Sequence, residues 1–315
     1  MQYRTIPGTA LAPSVICFGT ALIGSSYIPE RESFRLLDRY VKLGGNFIDT
    51  AQVYSDWLPG ERSVSEKTIG RWMRARGNRE KIVLATKGAH PELGRMDAPR
   101  LSRECILHDA ELSLRHLQTD YIDLYWLHRD DPATPAGEIV ETLNELIRAG
   151  KIRCAGCSNW TPRRIEEANR YARERGLQGF AANQPMWSLA VPNAELIGDK
   201  TLVVMDEDGE AFHRRTGMAC VPYSSQANGF FSGRYRKEAM PDKLRLYVNE
   251  ENLRRLDRVA RTAQRLGLSQ TAVALGYLLG QEFPVFPIIG SRTEQQLEES
   301  MKAGDVTLDP GIVRY

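Results

Sequence analysis

Eight short apolar runs, each followed by a longer helical pattern, place the tightest limit on what this chain can fold into. The runs are VICFG (15–19), NFIDTA (46–51), KIVLATK (81–87), YIDLYWLH (121–128), IRCAGCS (152–158), GFAANQ (179–184), MACVPYS (218–224) and VFPIIG (285–290). Most are apolar continuously rather than at alternate positions, which suits parallel strands covered on both faces. Residues 29–45 place Phe34, Leu37, Tyr40 and Val41 on one helical face and stop at Gly44-Gly45. Residues 63–78 start at a serine cap candidate, Ser63 or Ser65, and end at Gly77-Asn78. Further helical patterns cover 98–118, 138–151, 161–176, 251–267, 269–281 and 293–304.

Strands alternating with helices at this regularity imply right-handed βαβ units. Eight of them imply a closed (β/α)8 TIM barrel rather than an open doubly wound sheet. An open dinucleotide-binding sheet would carry G-x-G-x-x-G after an early strand. Here the first run leads into GTALIGSS, whose glycines have the wrong spacing. The chain is 315 residues long, a size that such barrels reach as one domain, so residues 1–315 are read as a single unit. Two pieces stand outside the repeat. Residues 2–14 read as a short N-terminal β-hairpin placed to plug the barrel bottom, and 225–247 as a long segment of little periodicity. The latter follows the seventh strand, on the side where barrel sites lie.

A net charge of +2 gives no reason to expect nucleic acid or an anionic membrane as partner. No apolar run reaches the ~20 residues of a bilayer span. The segment MQYRTIPGTALAPS lacks the apolar core of a secretory signal, so a cytoplasmic location is expected. Five scattered cysteines do not form a disulfide framework. Cys154 and Cys157 make a CxxC, but it lies within a strand-like run and no second ligand pair accompanies it. The expectation is two packed thiols and no metal.

Barrel chemistry is carried at the C-terminal ends of the strands. The second run ends at Asp49, with Tyr54 just beyond; the third ends at Lys87, the fourth at His128. The sixth ends at Asn183 and Gln184, the fifth leads into Ser158-Asn159-Trp160, and the seventh ends at Tyr223. A lysine ending an apolar strand needs a partner, and Asp49 can supply one. The ammonium would favour the Tyr54 phenolate and lower its pKa. Tyr54 would then donate a proton to a developing alkoxide while His128 orients the substrate oxygen. Taken singly, each residue has an ordinary structural reading: a helix cap, a surface pair, a packed ring. Their placement at one rim on consecutive strands is what points to chemistry. No side chain supplies a hydride, so a nicotinamide cofactor is implied.

The ordered segments GTALIG, NFIDTAQVY, LATKG, YIDLYWLHRDDP, GKIRCAGCSNW, NQP, PYSSQANGFFSGRY and IIGSRTEQQLEES resemble the successive signatures of the aldo-keto reductases over nearly the whole chain. HRDDP is most similar to the branch with bacterial sugar-type reductases and potassium-channel β subunits. The resemblance implies a tetrad of Asp49, Tyr54, Lys87 and His128, and NADP(H) lying over the C-terminal rim. By the same resemblance, Ser158, Asn159 and Gln184 hold the carboxamide, Tyr223 stacks on the nicotinamide, and Thr20 and Asp49 lie near its ribose. The 225–235 loop, with Gln226, Gly229 and Arg234, covers the pyrophosphate, and Ser224 just before it also contacts the cofactor. Gly290, Arg292 and Gln296 take the adenosine 2′-phosphate beside a helix N-terminus, and Glu299 and Ser300 the adenine. There are departures: Ser225 stands where proline is frequent, and Ser300 where an asparagine is common. The chain stops at Tyr315, so the long C-terminal loop of steroid-binding members is not expected and an open pocket is.

The implied activity is NADP-dependent reduction of small or sugar-like aldehydes and ketones. A sugar or polyol dehydrogenase, or a slow-turnover cofactor-bound subunit, would use the same residues. Trp57, Trp160, Trp187 and Met186 are candidates to line the pocket, and Arg129 and Asp130 are polar neighbours of His128 that suit a hydroxylated substrate. Oligomeric state is left open.

Overall fold

Residues 1–309 and 311–314 are described by the computed structural model. Every expected run contributes a strand: β1 (Cys17–Gly19), β2 (Phe47–Asp49), β3 (Val83–Gly88), β4 (Ile122–Leu127), β5 (Ile152–Ser158), β6 (Phe180–Gln184), β7 (Ala219–Cys220) and β8 (Ile288–Ile289). All pair in parallel, in the order β7-β6-β5-β4-β3-β2-β1-β8. The ring closes through a parallel bridge between Cys220 and Val285. Bonds from Cys220 N–H to Pro284 O (2.8 Å) and from Phe286 N–H to Cys220 O (2.8 Å) complete the seam.

Helices cover the outside: α1 (Glu30–Lys42), α2 (Val64–Arg76), α3 (Arg103–Leu117), α4 (Ala136–Arg148), α5 (Pro162–Glu174), α6 (Glu207–Thr216), α7 (Glu250–Leu266), α8 (Gln270–Leu279) and α9 (Glu294–Met301). Local signals set several starts. The side chains of Ser102, Thr161, Asp206, Asn249, Ser269 and Thr293 each accept a backbone N–H in the first turn. Some boundaries differ from the sequence reading. Ser63 stands at the α2 cap position with φ 55°, but makes no capping bond. The buried face of α1 is Ser33, Leu36, Leu37 and Tyr40, so Phe34 and Val41 lie at its margin. Helix α6 is not among the helical patterns of the sequence, whereas both helices after β7, α7 and α8, are.

The barrel interior is filled by Cys17, Phe47, Ala85, Leu124, Trp126, Cys154, Ala182, Ala219, Val221 and Phe286. Ile6 and Leu11 of the N-terminal hairpin join the same cluster. That hairpin is held by Arg4 N–H to Pro13 O (3.0 Å) and Ile6 N–H to Leu11 O (2.9 Å). Ser14 N–H reaches Asn46 Oδ1 (2.7 Å), just before β2, so the hairpin sits at the N-terminal end of the barrel. Trp126 fits because β5 has Gly156 beside it: a Cβ there would lie 2.3 Å from the indole.

Strand side chains alternate between faces. Two positions beyond the inward Phe47, Ala85, Trp126, Ala182 and Val221 come Asp49, Lys87, His128, Gln184 and Tyr223. The polar rim is therefore the next inward layer of the apolar barrel core. The same parity separates Cys154 from Cys157: the first joins the interior cluster, the second the core between sheet and helices. Both are buried and free. Among the described residues, no group of His, Cys, Asp or Glu could hold a metal ion, and no helix is long and apolar enough to cross a membrane.

Candidate functional site

Lys87 is 1% exposed and Asp49 fully buried, and their side chains form an ion pair. The ammonium has three N–H bonds and uses all of them. One goes to Asp49 Oδ2, one to Thr50 O (2.9 Å) and one to Tyr54 Oη (2.8 Å). Gln184 Nε2 donates to the other Asp49 oxygen at 3.1 Å. Tyr54 thus accepts from Lys87 and keeps its own proton for another acceptor. The nearest in the protein is Asp49 Oδ2 at 3.5 Å, the limit of hydrogen bonding.

Burial works against the Lys87 charge, but Asp49 and then Tyr54 outweigh it and hold its pKa above the ordinary lysine value. For Tyr54 the balance corrects the sequence argument. Burial raises the phenol pKa more than Lys87 lowers it, and the net shift is upward. The lysine limits the rise without reversing it, so the phenol is protonated at neutral pH.

His128 lines the same cavity, its ring centroid 6.1 Å from that of Tyr54. Burial, with His90 and Lys87 adding to it, depresses its pKa far below the ordinary range. The ring is therefore neutral. Its Nδ1 is buried and has no partner among the described residues. A buried N–H without an acceptor is costly, so the proton belongs on Nε2. His128 is then a neutral donor.

Two cavities meet at Tyr54 and Tyr223, which line both. The first, about 750 Å³, is walled by Trp57, Leu93, Met96, Leu202, His90 and His128. Ser158, Asn159 and Gln184 also face it. Asn159, at φ 62°, is a hub. Its Oδ1 accepts from Tyr223 OH (2.7 Å) and Val203 N–H (3.1 Å), and its Nδ2 donates to His128 O (3.3 Å) and Ser158 Oγ (3.2 Å).

The second cavity, about 700 Å³, is a groove between the segment after β7 and the start of α9. Ser224, Gln226, Gly229 and Arg234 line one wall; Gly290, Arg292, Gln296, Glu299 and Ser300 line the other. Gln226 ties the walls, donating to Ser300 Oγ (2.9 Å) and accepting from Gly290 N–H (3.3 Å). Arg234 faces Glu299 at 4.0 Å. Arg292 lies over the Tyr27 ring at 5.7 Å, and its N–H donates to Gln296 Oε1 (2.9 Å). The hydroxyls of Ser232 and Ser291, both in this groove, are buried without partners among the described residues. An elongated cleft with guanidinium groups and unspent hydroxyls fits a phosphate-bearing cofactor. The departures are absorbed locally: Ser225 Oγ donates to Ile288 O (2.5 Å), and Ser300 Oγ to Gln296 O (2.9 Å).

Among the other sequence candidates, Trp57 and Arg129 line the first cavity and the rest line neither. Thr20 is fully buried, its hydroxyl donating to Asp49 O (2.9 Å) and accepting from Ser65 (3.0 Å). Trp160 donates to Arg129 O, and Trp187 packs on Tyr277 and Phe283. Met186 is buried in the cluster around α7 and α8. Of the four proposed lining residues only Trp57 faces the cavity. Asp130 turns to Arg164 (3.4 Å), away from it. Arg129 is spent on Thr201 Oγ1 (2.8 Å), His128 O (2.9 Å) and Asp199 Oδ2 (3.0 Å).

Residues missed in the sequence are His90, Leu93 and Met96 after β3 and Gly198–Leu202 after β6. The latter belong to a loop between β6 and α6 with no periodic pattern. Its length alone was a signal.

A buried Lys–Asp pair bonded to a protonated tyrosine thus lies at the barrel rim, beside a groove lined by two guanidinium groups. Residues 15–314 match the model of the Aldo/keto reductase family, and the chain belongs to that family. It is 31% identical to norsolorinic acid reductase stcV of Emericella nidulans over 96% of this chain and 77% of that protein. It is 32% identical to the oxidoreductase YrpG of Bacillus subtilis, covering 100% and 94%. It is also 32% identical to the aryl-alcohol dehydrogenase [NADP(+)] of Phanerodontia chrysosporium, covering 98% and 83%.

Proposed function

We propose that residues 1–315 form one cytoplasmic barrel enzyme that reduces aldehydes or ketones with NADPH, Tyr54 being the general acid. One observation carries this reading: the third N–H of Lys87 goes to Tyr54 Oη, which leaves the phenol proton free at the meeting point of two cavities. When bound, the cofactor supplies the hydride. The protein does the rest. His128 Nε2–H and Tyr54 O–H hold the carbonyl oxygen, Tyr54 passes it a proton, and Lys87 with Asp49 stabilises the phenolate left behind. Ser158, Asn159, Gln184 and Tyr223 would hold the cofactor's reactive end; Gln226, Arg234, Arg292, Gln296 and Glu299 its phosphates and adenine. A relative named for NADP(+) and the guanidinium of Arg292 support NADP over NAD.

Trp57, Leu93, Met96 and Leu202 favour an apolar or aromatic carbonyl body. Arg129 lines this cavity with its guanidinium already engaged, and Asp130 pairs with Arg164, so neither is a free partner for a sugar hydroxyl. A relative named for aryl alcohols agrees with the aromatic reading. The test is NADPH oxidation with a panel of small aldehydes. Wild type turns over; Tyr54→Phe binds NADPH with similar affinity but loses roughly 10²–10⁴ in kcat. Near wild-type turnover by Tyr54→Phe would remove Tyr54 from the role.

A further inference from the structure

The substrate cavity holds a second histidine that the proton relay does not use. His90 follows β3, and its ring centroid is 4.6 Å from that of His128, edge to face. Its Nδ1 lies 2.6 Å from Pro91 O. A carbonyl oxygen only accepts, so Nδ1 carries the proton and Nε2 a lone pair. Nε2 makes no hydrogen bond among the described residues, while the side chain lines the cavity. Burial, then Arg129, depresses the imidazole pKa to about 4, so it stays a neutral acceptor at ordinary pH.

The turn that presents His90 is strained and braced. Ala89 is 1% exposed and adopts φ 57°, a left-handed conformation unusual for a residue with a Cβ. Its N–H donates to Asp109 Oδ2 at 2.9 Å. Asp109 is buried on α3 and takes two bonds of 2.9 Å from Arg100, which also donates to His90 O at 3.2 Å. Backbone strain held by a buried carboxylate and its arginine partner marks a side chain whose direction matters. The cavity thus presents one neutral donor, His128 Nε2–H, beside one neutral acceptor, His90 Nε2. Rings this close are reached together by groups on neighbouring carbons, not by groups at opposite ends of a long substrate.

We propose that His90 is a specificity-determining residue whose Nε2 accepts a hydrogen bond from a hydroxyl on the carbon next to the substrate carbonyl, so that the site selects α-hydroxy ketones and aldehydes. The inference rests on the carbonyl-reductase reading above. The apolar wall of Trp57, Leu93 and Met96 takes the rest of such a substrate.

The test compares 2-hydroxyacetophenone with propiophenone, in which a methyl replaces the hydroxyl, and uses 4-nitrobenzaldehyde as a reporter of basal carbonyl reduction. The readout is the ratio of kcat/KM for the two ketones, followed by NADPH oxidation. Inherent reactivity cancels when the ratio is compared between variants. His90→Phe keeps a ring beside His128 and removes the acceptor; it lowers the ratio about tenfold. His90→Gln restores an acceptor of similar reach and retains most of the wild-type ratio. An unchanged ratio in His90→Phe overturns the assignment, and so does a wild-type preference for propiophenone, which needs no variant. Reduction of 4-nitrobenzaldehyde without discrimination between the ketones defeats this inference alone. No NADPH oxidation with any of the three compounds defeats the carbonyl-reductase reading beneath it.

Discussion

Lys87 has no spare donor, and that decides how its neighbours behave. Replacing it with methionine leaves a buried carboxylate at Asp49 with Gln184 and the more distant Tyr54 hydroxyl as its side-chain partners. Lys87→Met is expected to lower stability by about 3–5 kcal/mol as well as turnover, whereas Tyr54→Phe lowers turnover with little change in Tm. Denaturant unfolding of the two variants separates these effects. The upward shift of the Tyr54 pKa fixes the pH dependence of reduction. With Tyr54 as the proposed general acid the acid form is the active one, so kcat is expected to stay flat through neutral pH and to fall only as pH rises beyond the ordinary tyrosine value of 10.0. A decline centred near neutrality contradicts the burial argument. Asp49, Lys87 and His128 were legible because each ends an apolar run, two positions past an inward core residue. The direction of the Tyr54 shift was not, because spacing shows which charge is near and not how much water is gone. His90 was hidden for another reason: only the left-handed Ala89 and its brace on Asp109 turn it into the cavity.

Among elements, the connection from β6 to α6 carries the most that the sequence concealed. All eight strands were visible as apolar runs, and most helices through their spacing. Residues 185–206 have no such pattern, because their order comes from distant partners. Val203 N–H bonds Asn159, Met186 N–H bonds Val203 O, and Arg129 clamps Asp199 and Thr201. Arg129→Ala should release this flap over the cavity. The expected result is a severalfold rise in KM for the carbonyl with little change in KM for NADPH, and faster amide exchange at 198–203. Unaltered exchange there would show that the clamp holds nothing. At the groove, Arg292→Ala should raise KM for NADPH about tenfold or more while changing KM for NADH little, since a charge-assisted bond to phosphate is worth roughly 1.5–3 kcal/mol. Parallel initial-rate measurements with both cofactors check it; equal effects remove the argument for NADP.

At the scale of the molecule, acid is the expected weakness. His213 is fully buried, with Nδ1 bonded to Met218 O at 2.9 Å and Nε2 facing Asn183 at 3.3 Å. Burial depresses its pKa from 6.5 to about 4. The folded pKa lies below the unfolded one, so the stabilisation is present above the unfolded value and is lost as pH falls through the window between them. The loss amounts to about 2 kcal/mol between roughly pH 7 and pH 5. Tm should fall over that range, and His213→Gln should flatten the fall; an identical slope in the variant rules His213 out as its source. The seam of the barrel also belongs to this scale. Its closure could be inferred from the number of runs, but not that it would run through the single Cys220–Val285 bridge, with backbone bonds from residues 284–288 in place of a paired β7–β8 ladder.

The hairpin of residues 2–14 gives the barrel a floor. Ile6 and Leu11 cap an interior already filled by side chains, so both cavities lie at the opposite, upper rim. The family match begins at residue 15, one position after this floor. Two apolar side chains before the segment that the family model matches thus extend the packed interior at its lower end. Under the proposed function, cofactor and carbonyl would both enter from that one rim, into cavities that meet at Tyr54 and Tyr223.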